Sequence, residues 1–251
     1  MTASQPPRIL SIAGSDSGGG AGIQADIRTI THLGGHAMTA VTAITAQNSI
    51  GVTAVETMTA DLVLAQITAV VEDIGVDAIK IGMLGGPDII GAVAAFLDDM
   101  DPVPTVLDPV MVATSGASLA DDATINAFQA IIPMVSLVTP NRHEMARLGG
   151  EEVIAKYDVP FLVKGGHDDG ELLTDRLIGR NGVVASWDGA RIDTRHDHGT
   201  GCTLSAAIAT HLGHGRAMEE AIALAREHVR ASLHCAPGFG AGHGPMGVPE
   251  P

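Results

Sequence analysis

Residues Gly199-Thr200-Gly201-Cys202-Thr203 stand ahead of a helical run over 204–212. Two glycines flanking a threonine let the backbone turn with its N–H groups aimed at one point, and the following helix adds its positive end. The pattern suits an anion hole in which Gly199, Thr200, Gly201 and Cys202 meet charge developing on a phosphate in transfer. A thiol in the first turn of a helix has a lowered pKa, so Cys202 is a candidate thiolate base. The same residues also suit a tight turn with a small buried cysteine.

Other segments carry groups of the same chemical class. Residues 15–22, Ser-Asp-Ser-Gly-Gly-Gly-Ala-Gly, follow an apolar run and open a helix through Asp26 and Ile30. No Gly-Lys-Ser/Thr follows and G-x-G-x-x-G is absent, so a Walker loop is excluded and a dinucleotide fingerprint disfavoured. Glycine here lets a small ligand approach the backbone, or simply makes a surface loop. In Asn141-Arg142-His143-Glu144 an amide and a carboxylate three apart share a helix face. They suit either a hydrated Mg²⁺ or a helix cap with its N3 glutamate. Asp108, fixed before Pro109, is a second metal-side carboxylate. Lys164, before two glycines, is a point charge for a phosphate, and Lys80 holds a similar place. Eleven histidines, with His196/His198 and His211/His214 closest, lack a third metal ligand at a fixed spacing, and read as solvated or helix-end groups.

Composition bounds the partners. The 251 residues carry 14 basic and 29 acidic groups, a net charge of −15 with lysine only at 80, 156 and 164, and aromatics form 2%. Nucleic acid and anionic membrane both need a basic face, so neither is an expected partner. No stretch reads as a secretory signal or membrane span, and Cys202 and Cys235 match no zinc or redox spacing. A reducing cytoplasm is the expected compartment.

The elements that must position these groups follow from the apolar runs. Runs at 9–13, 38–45, 78–81, 105–107, 136–138 and 161–163 each end in Gly and polar residues, as strands buried on both faces do. Helical periodicity fills 62–71, 87–97 and 124–132 between them, with Pro87 as a start signal. Strand and helix alternate as right-handed βαβ units. Segments 172–178, 183–186 and 190–193, separated by Gly-Arg-Asn-Gly and Asp-Gly turns, read as an antiparallel edge. Two helices, near 200–212 and 217–234, finish the chain. The expectation is one α/β domain over 1–251, a three-layer α/β/α with a mostly parallel central sheet and a short antiparallel edge. In such sheets ligands bind beyond the carboxyl ends of the strands.

Seven stretches in order, ILSIAGSDSGGGAGIQADIRTI, TAITAQNSIGV, KIGMLG, VLDPVM, LVTPNRHE, LVKGGH and HGTGCTLSAAIA, with a weaker GHGP, closely resemble the hydroxymethylpyrimidine and phosphomethylpyrimidine kinases of thiamine biosynthesis. That family lies in the ribokinase-like superfamily. The resemblance implies ATP-dependent phosphorylation of a pyrimidine hydroxymethyl group, then of the monophosphate, with Mg²⁺. It puts the pyrimidine-binding glutamine on Gln47 and further pocket positions on Asp26, Met83 and Ala21. It sets Cys202 where ribokinase relatives carry a catalytic aspartate. Asp108, Asn141 and Glu144 fall on the nucleotide and Mg²⁺ side, and Lys164 near the ATP phosphates. A homodimer is usual in that family.

Gln47 has a physical case besides, since an amide offers both donor and acceptor to an aminopyrimidine edge. Pyridoxal kinases share the first glycine loop and the DPV segment, so a vitamin B6 kinase is the runner-up. Only 19 residues separate Glu144 from Lys164. Related kinases carry more there, which implies a trimmed helix pair and raises a catalytically silent pyrimidine-binding protein as an alternative.

Overall fold

The computed structural model describes residues 5–112, 116, 119–165 and 170–250. Its central sheet has nine strands in the order β3-β2-β1-β4-β5-β6-β7-β8-β9. β1 (Arg8–Asp16), β2 (His36–Gln47), β4 (Ala78–Ile81), β5 (Thr105–Leu107), β6 (Leu137–Val138) and β7 (Phe161–Val163) are parallel. β3 (Val52–Thr57) closes one edge antiparallel to β2, while β8 (Leu172–Gly179) and β9 (Gly182–Ala190) close the other. The ribokinase-like three-layer architecture is present, with antiparallel strands at both edges.

Alternation along the buried strands divides two cores. Leu10 and Ile12 of β1, Ile79 and Ile81 of β4 and Leu107 of β5 face one apolar cluster. Its helices are α2 (Ala60–Asp73), α3 (Pro87–Asp99), α4 (Asp122–Ile131), α5 (Arg142–Leu148) and α6 (Glu151–Lys156). Ile9, Ala78 and Val106 face the other cluster, covered by α1 (Gly22–His32), α7 (Thr200–Gly213) and α8 (Met218–His234). Because both faces are covered, these strands read as continuous apolar runs. Local signals fix the helix starts: the Thr59 hydroxyl accepts from Leu62 N at 3.3 Å, Pro87 opens α3, and Asp121 Oδ1 accepts from Thr124 N at 2.8 Å.

Two expectations need correction. β3 escaped the reading, because its alternating Val-Thr-Ala-Val-Glu-Thr is mostly exposed and offers no buried run. The antiparallel edge holds two long strands where three short ones were expected. Asp188-Gly189 stays within the ladder, with Gly189 opposite Leu173 and the Asp188 carboxylate accepting from Thr174 Oγ1 at 2.6 Å. Around and after Glu144 the chain forms two short helices, α5 and α6, of seven and six residues, in keeping with the trimmed pair the short spacing implied. Gly149 and Gly150, with φ of 115° and 67°, make the tight joint between them.

Candidate functional site

A cleft of about 1050 Å³ runs along the carboxyl ends of the parallel strands. Ala21, Gln47, Met83, Asp108, Asn141, Glu144, Lys164, Gly199, Thr200, Gly201 and Cys202 all line it. Of the sequence-derived site residues only Asp26 is absent from the wall. Gly166 and His167, part of the Lys-Gly-Gly-His stretch, lie outside the described residues.

One end of the cleft is built on β1, β2 and the loop into α1. Asp16, last residue of β1 and 3% exposed, accepts backbone N–H groups from Gly18 at 2.8 Å, Gly20 at 2.9 Å and Ala21 at 2.8 Å. The glycine loop thus closes on the protein's own carboxylate, and those donors are not left for a phosphate. Burial raises the pKa of Asp16, but the His198 hydrogen bond and the N–H groups of Ala21 and Gly18 hold it below the usual carboxylate range. Gln47 ends β2 and is half-buried, its terminal amide 3.1 Å from His198 Nε2 and 3.2 Å from Thr45 Oγ1. The Met83 side chain fills the place where a Cβ on Gly14 would stand, and Thr42 Oγ1 holds the Met83 carbonyl at 2.6 Å.

The other end is ionic. Lys164 Nζ donates to Asp108 Oδ1 at 2.8 Å, and Thr139 Oγ1 lies 3.2 Å from the same oxygen. Asp108 is carried past β5 by its N–H bond to the Ile81 carbonyl, and Lys164 past β7 by its N–H bond to the Pro140 carbonyl. Asn141 and Glu144 form the capping box that the sequence allowed: Asn141 N donates to Glu144 Oε2 at 2.7 Å and Glu144 N to Asn141 Oδ1 at 2.8 Å. Burial pushes the Glu144 carboxyl up, Lys164 pulls it down, and Asp108 adds to the rise.

Between the two ends lies the start of α7. Gly199 is its N-cap with φ 89°, and a Cβ there would strike the Gly20 carbonyl, so the turn needs glycine. A Cβ on Gly201 would stand 3.3 Å from both Asp108 Oδ2 and Lys164 Nζ. The N–H groups of Gly201 and Cys202 take no acceptor among the described residues, as expected for a helix first turn.

Two expectations change here. Burial pushes the Cys202 thiol up to about 11; Lys80 opposes the shift, while Asp26 and Asp108 reinforce it. The helix end and one lysine do not outweigh desolvation in a pocket that also holds carboxylates, so the thiol is protonated near neutral pH. Asp26 lies beneath the cleft, fully buried, accepting from Ser11 Oγ at 2.6 Å and Lys80 Nζ at 2.8 Å. Its Oδ1 has no partner among the described residues. Asp26 therefore supports Lys80, which does line the cleft, and the charges of both Lys80 and Lys164 are felt at Cys202.

The sequence sets Asp16 in the glycine-rich segment after the first strand without assigning it a role, and His198 is passed over. An aspartate two residues before a glycine run is a signal for a carboxylate turning that loop onto itself. His198 stood among histidines read as solvated, yet it is 7% exposed, with its N–H on the Gly244 carbonyl. Nothing local announces the partner it meets.

The donors suit a hydrated divalent cation. Two carboxylates, Asp108 and Glu144, line the cleft beside the Lys164 ammonium, and the proximity of Asp108 raises the Glu144 carboxyl. Among the described residues no three His, Cys, Asp or Glu side chains converge to cage a bare ion. Mg²⁺ fits such a place, since it keeps several waters and binds mainly through one or two carboxylates and substrate phosphates.

Comparison with known proteins places the chain in a family. The family model "Phosphomethylpyrimidine kinase" matches residues 16–247. A hydroxymethylpyrimidine/phosphomethylpyrimidine kinase of Rhizobium meliloti is 44% identical over 254 residues, covering 94% of this chain and 95% of that protein. A thiamine biosynthesis multifunctional protein of Corynebacterium efficiens is 40% identical over 96% of this chain, which spans only 35% of its length. Among solved structures, an ADP complex of Bacillus subtilis pyridoxal kinase superposes with a TM-score of 0.87 at 31% identity, covering 97% of each chain. Phosphomethylpyrimidine kinase from Clostridium difficile 630 gives 0.76 at 38% identity, covering 89% of this chain and 98% of that one. The chain belongs to the phosphomethylpyrimidine kinase family.

Proposed function

We propose that this chain transfers a phosphate from ATP to 4-amino-5-hydroxymethyl-2-methylpyrimidine and then to the resulting monophosphate, as one domain. The observation that carries the reading is the placement of Gln47, the α7 start and the Asp108–Lys164 pair around one cleft. The Gln47 amide donates to a ring nitrogen and accepts from the exocyclic amine, with Ala21 and Met83 completing the pocket. Lys164 attracts the ATP phosphates, Asn141 and Thr200 border the nucleotide, and the N–H groups of Gly199, Gly201 and Cys202 stabilise the charge on the transferring phosphate. Asp108 and Glu144 are the residues to hold Mg²⁺, which on binding would neutralise phosphate charge.

Cys202 receives the hydroxymethyl proton in the first transfer. With the free thiol near 11, only a small thiolate fraction exists at neutral pH, so that transfer accelerates as pH rises. In the second transfer the nucleophile is a phosphate oxygen, already ionised because a phosphomonoester loses its second proton near pH ~6. No protein base is needed there. The acting form is a cytoplasmic homodimer, and among the described residues no helix is long and apolar enough to cross a membrane.

Incubation with ATP, Mg²⁺ and the hydroxymethylpyrimidine should release ADP and accumulate the monophosphate before the diphosphate. Absence of ADP above background would refute the reading. The close superposition on a pyridoxal kinase supports a second reading, vitamin B6 phosphorylation. It wins if pyridoxal has the higher kcat/KM in the same assay.

A further inference from the structure

His198 takes no part in the reaction just described, yet it joins three segments of the cleft. Its ring fills the space beside Gly20, and its backbone pairs with Pro245 through a parallel bridge. Nε2 lies 2.9 Å from Asp16 Oδ2 and 3.1 Å from the terminal amide of Gln47. An imidazole nitrogen carries at most one hydrogen. Facing Asp16, which bonds three backbone donors and is a carboxylate, Nε2 must carry that hydrogen.

This constrains Gln47. If the amide turned its NH₂ group toward His198, two donors would face each other. With the oxygen turned toward His198, the NH₂ group meets Thr45 Oγ1 at 3.2 Å, and the Thr45 hydrogen goes to the Ser15 carbonyl at 3.0 Å. One amide hydrogen then meets Thr45 Oγ1, and the single Nε2 hydrogen is shared between Asp16 Oδ2 and the amide oxygen. Exchanging amide oxygen and nitrogen moves no other heavy atom, so the hydrogen-bond network is what decides the orientation. An amide presents donor beside acceptor in opposite order in its two orientations. Only one order matches a ring nitrogen next to an exocyclic amine.

We propose that His198, held by Asp16, is a positioning residue that fixes the Gln47 amide in one orientation and thereby selects an aminopyrimidine edge over a pyridine edge such as that of pyridoxal. The inference rests on the pyrimidine-kinase reading above and adds the device by which that pocket discriminates. Without the His198 donor the amide is free to turn, and a ligand with a different edge is no longer disfavoured.

His198→Phe keeps a ring of similar size without the donor, and His198→Gln returns an N–H near the Nε2 position. The measurements are KM for hydroxymethylpyrimidine, pyridoxal and ATP, with thermal melts to establish folding. His198→Phe should raise KM for the pyrimidine about tenfold and lower pyrimidine-over-pyridoxal selectivity about tenfold, the size of one hydrogen bond. KM for ATP should stay unchanged, and His198→Gln should recover most of both losses. The proposal fails if His198→Phe keeps the parent's KM and selectivity, or if a folded His198→Gln is no better than His198→Phe. Calorimetric binding of the pyrimidine without ATP reads the same variants independently of turnover. A parent protein that binds but does not turn over would thus sink the kinase reading while the affinities still decide the role of His198.

Discussion

The two ends of the cleft solve the burial of charge in different ways. At the Gln47 end, the Asp16 carboxylate is met by neutral backbone donors and one imidazole, and the group lining the cleft is an uncharged amide. At the Lys164 end, Asp108 is met by the Lys164 ammonium, with the buried Glu144 beside them. The contrast teaches which end is rigid and which is responsive. Dipoles fixed by a turn keep their geometry whatever binds, as suits discrimination between similar rings. Paired charges with a second carboxylate beside them respond to an added cation, as the proposed binding of a metal-bound nucleotide requires.

The largest expected effect tests where the ends meet. Cys202→Ala should lower the rate of monophosphate formation by about 10²-fold or more, as for loss of a positioned base. The second transfer, whose nucleophile is already ionised, should lose far less; rapid-quench separation of the two products reads both. Equal losses would break the assignment of Cys202 as base and make it part of the packing. At the Lys164 end, Lys164→Met removes a charged hydrogen-bond donor and leaves Asp108 buried without it. kcat/KM for ATP should fall roughly 10- to 100-fold with KM for the pyrimidine little changed. At the other end, Gln47→Ala should raise KM for the pyrimidine about tenfold and spare KM for ATP. If either variant disturbs both substrates alike, the two ends are not separable.

The smallest effect lies away from both ends. Burial, with the neighbouring His32 and His211, lowers the pKa of His228 to about 4. Its unfolded value is near ~6.5, so the folded protein excludes a proton that the unfolded chain binds. The stability associated with neutral His228 is present above pH ~6.5 and is lost as pH falls toward 4. The ring is only half-buried and solvent screens the effect, so the melting temperature should fall by only a few degrees, roughly 2–4 °C. His228→Asn should flatten that part of the pH profile while leaving the relative rates of the two transfers unchanged.

How far the sequence could be read follows the same division. The parallel strands were legible because helices bury both of their faces, leaving apolar runs that end in polar residues. Asp108, Asn141, Glu144, Lys164 and the 199–202 turn could be placed because each stands at the end of such a run or at a helix start. Exposed β3 gave no such signal, and neither did the partners of Asp26 and His198. Asp26 looked like a pocket residue from motif position alone, whereas its ion pair with Lys80 spans 54 positions and has no local signature. The state of Cys202 depended on summing burial and two aspartates against two lysines, none of them adjacent in the chain.

Asp16 and His198 are separated by 182 positions. That distance has a kinetic consequence. The β1–α1–β2 region is built from local contacts and can form early, but a contact between such remote residues requires closing a long loop against chain entropy. Until α7 docks, Lys80 and Asp26 lie under an incomplete cover, and the glycine loop lacks the ring that packs on Gly20. Recovery of ligand binding during refolding should therefore lag behind recovery of helical signal, with catalytic competence among the last properties to return.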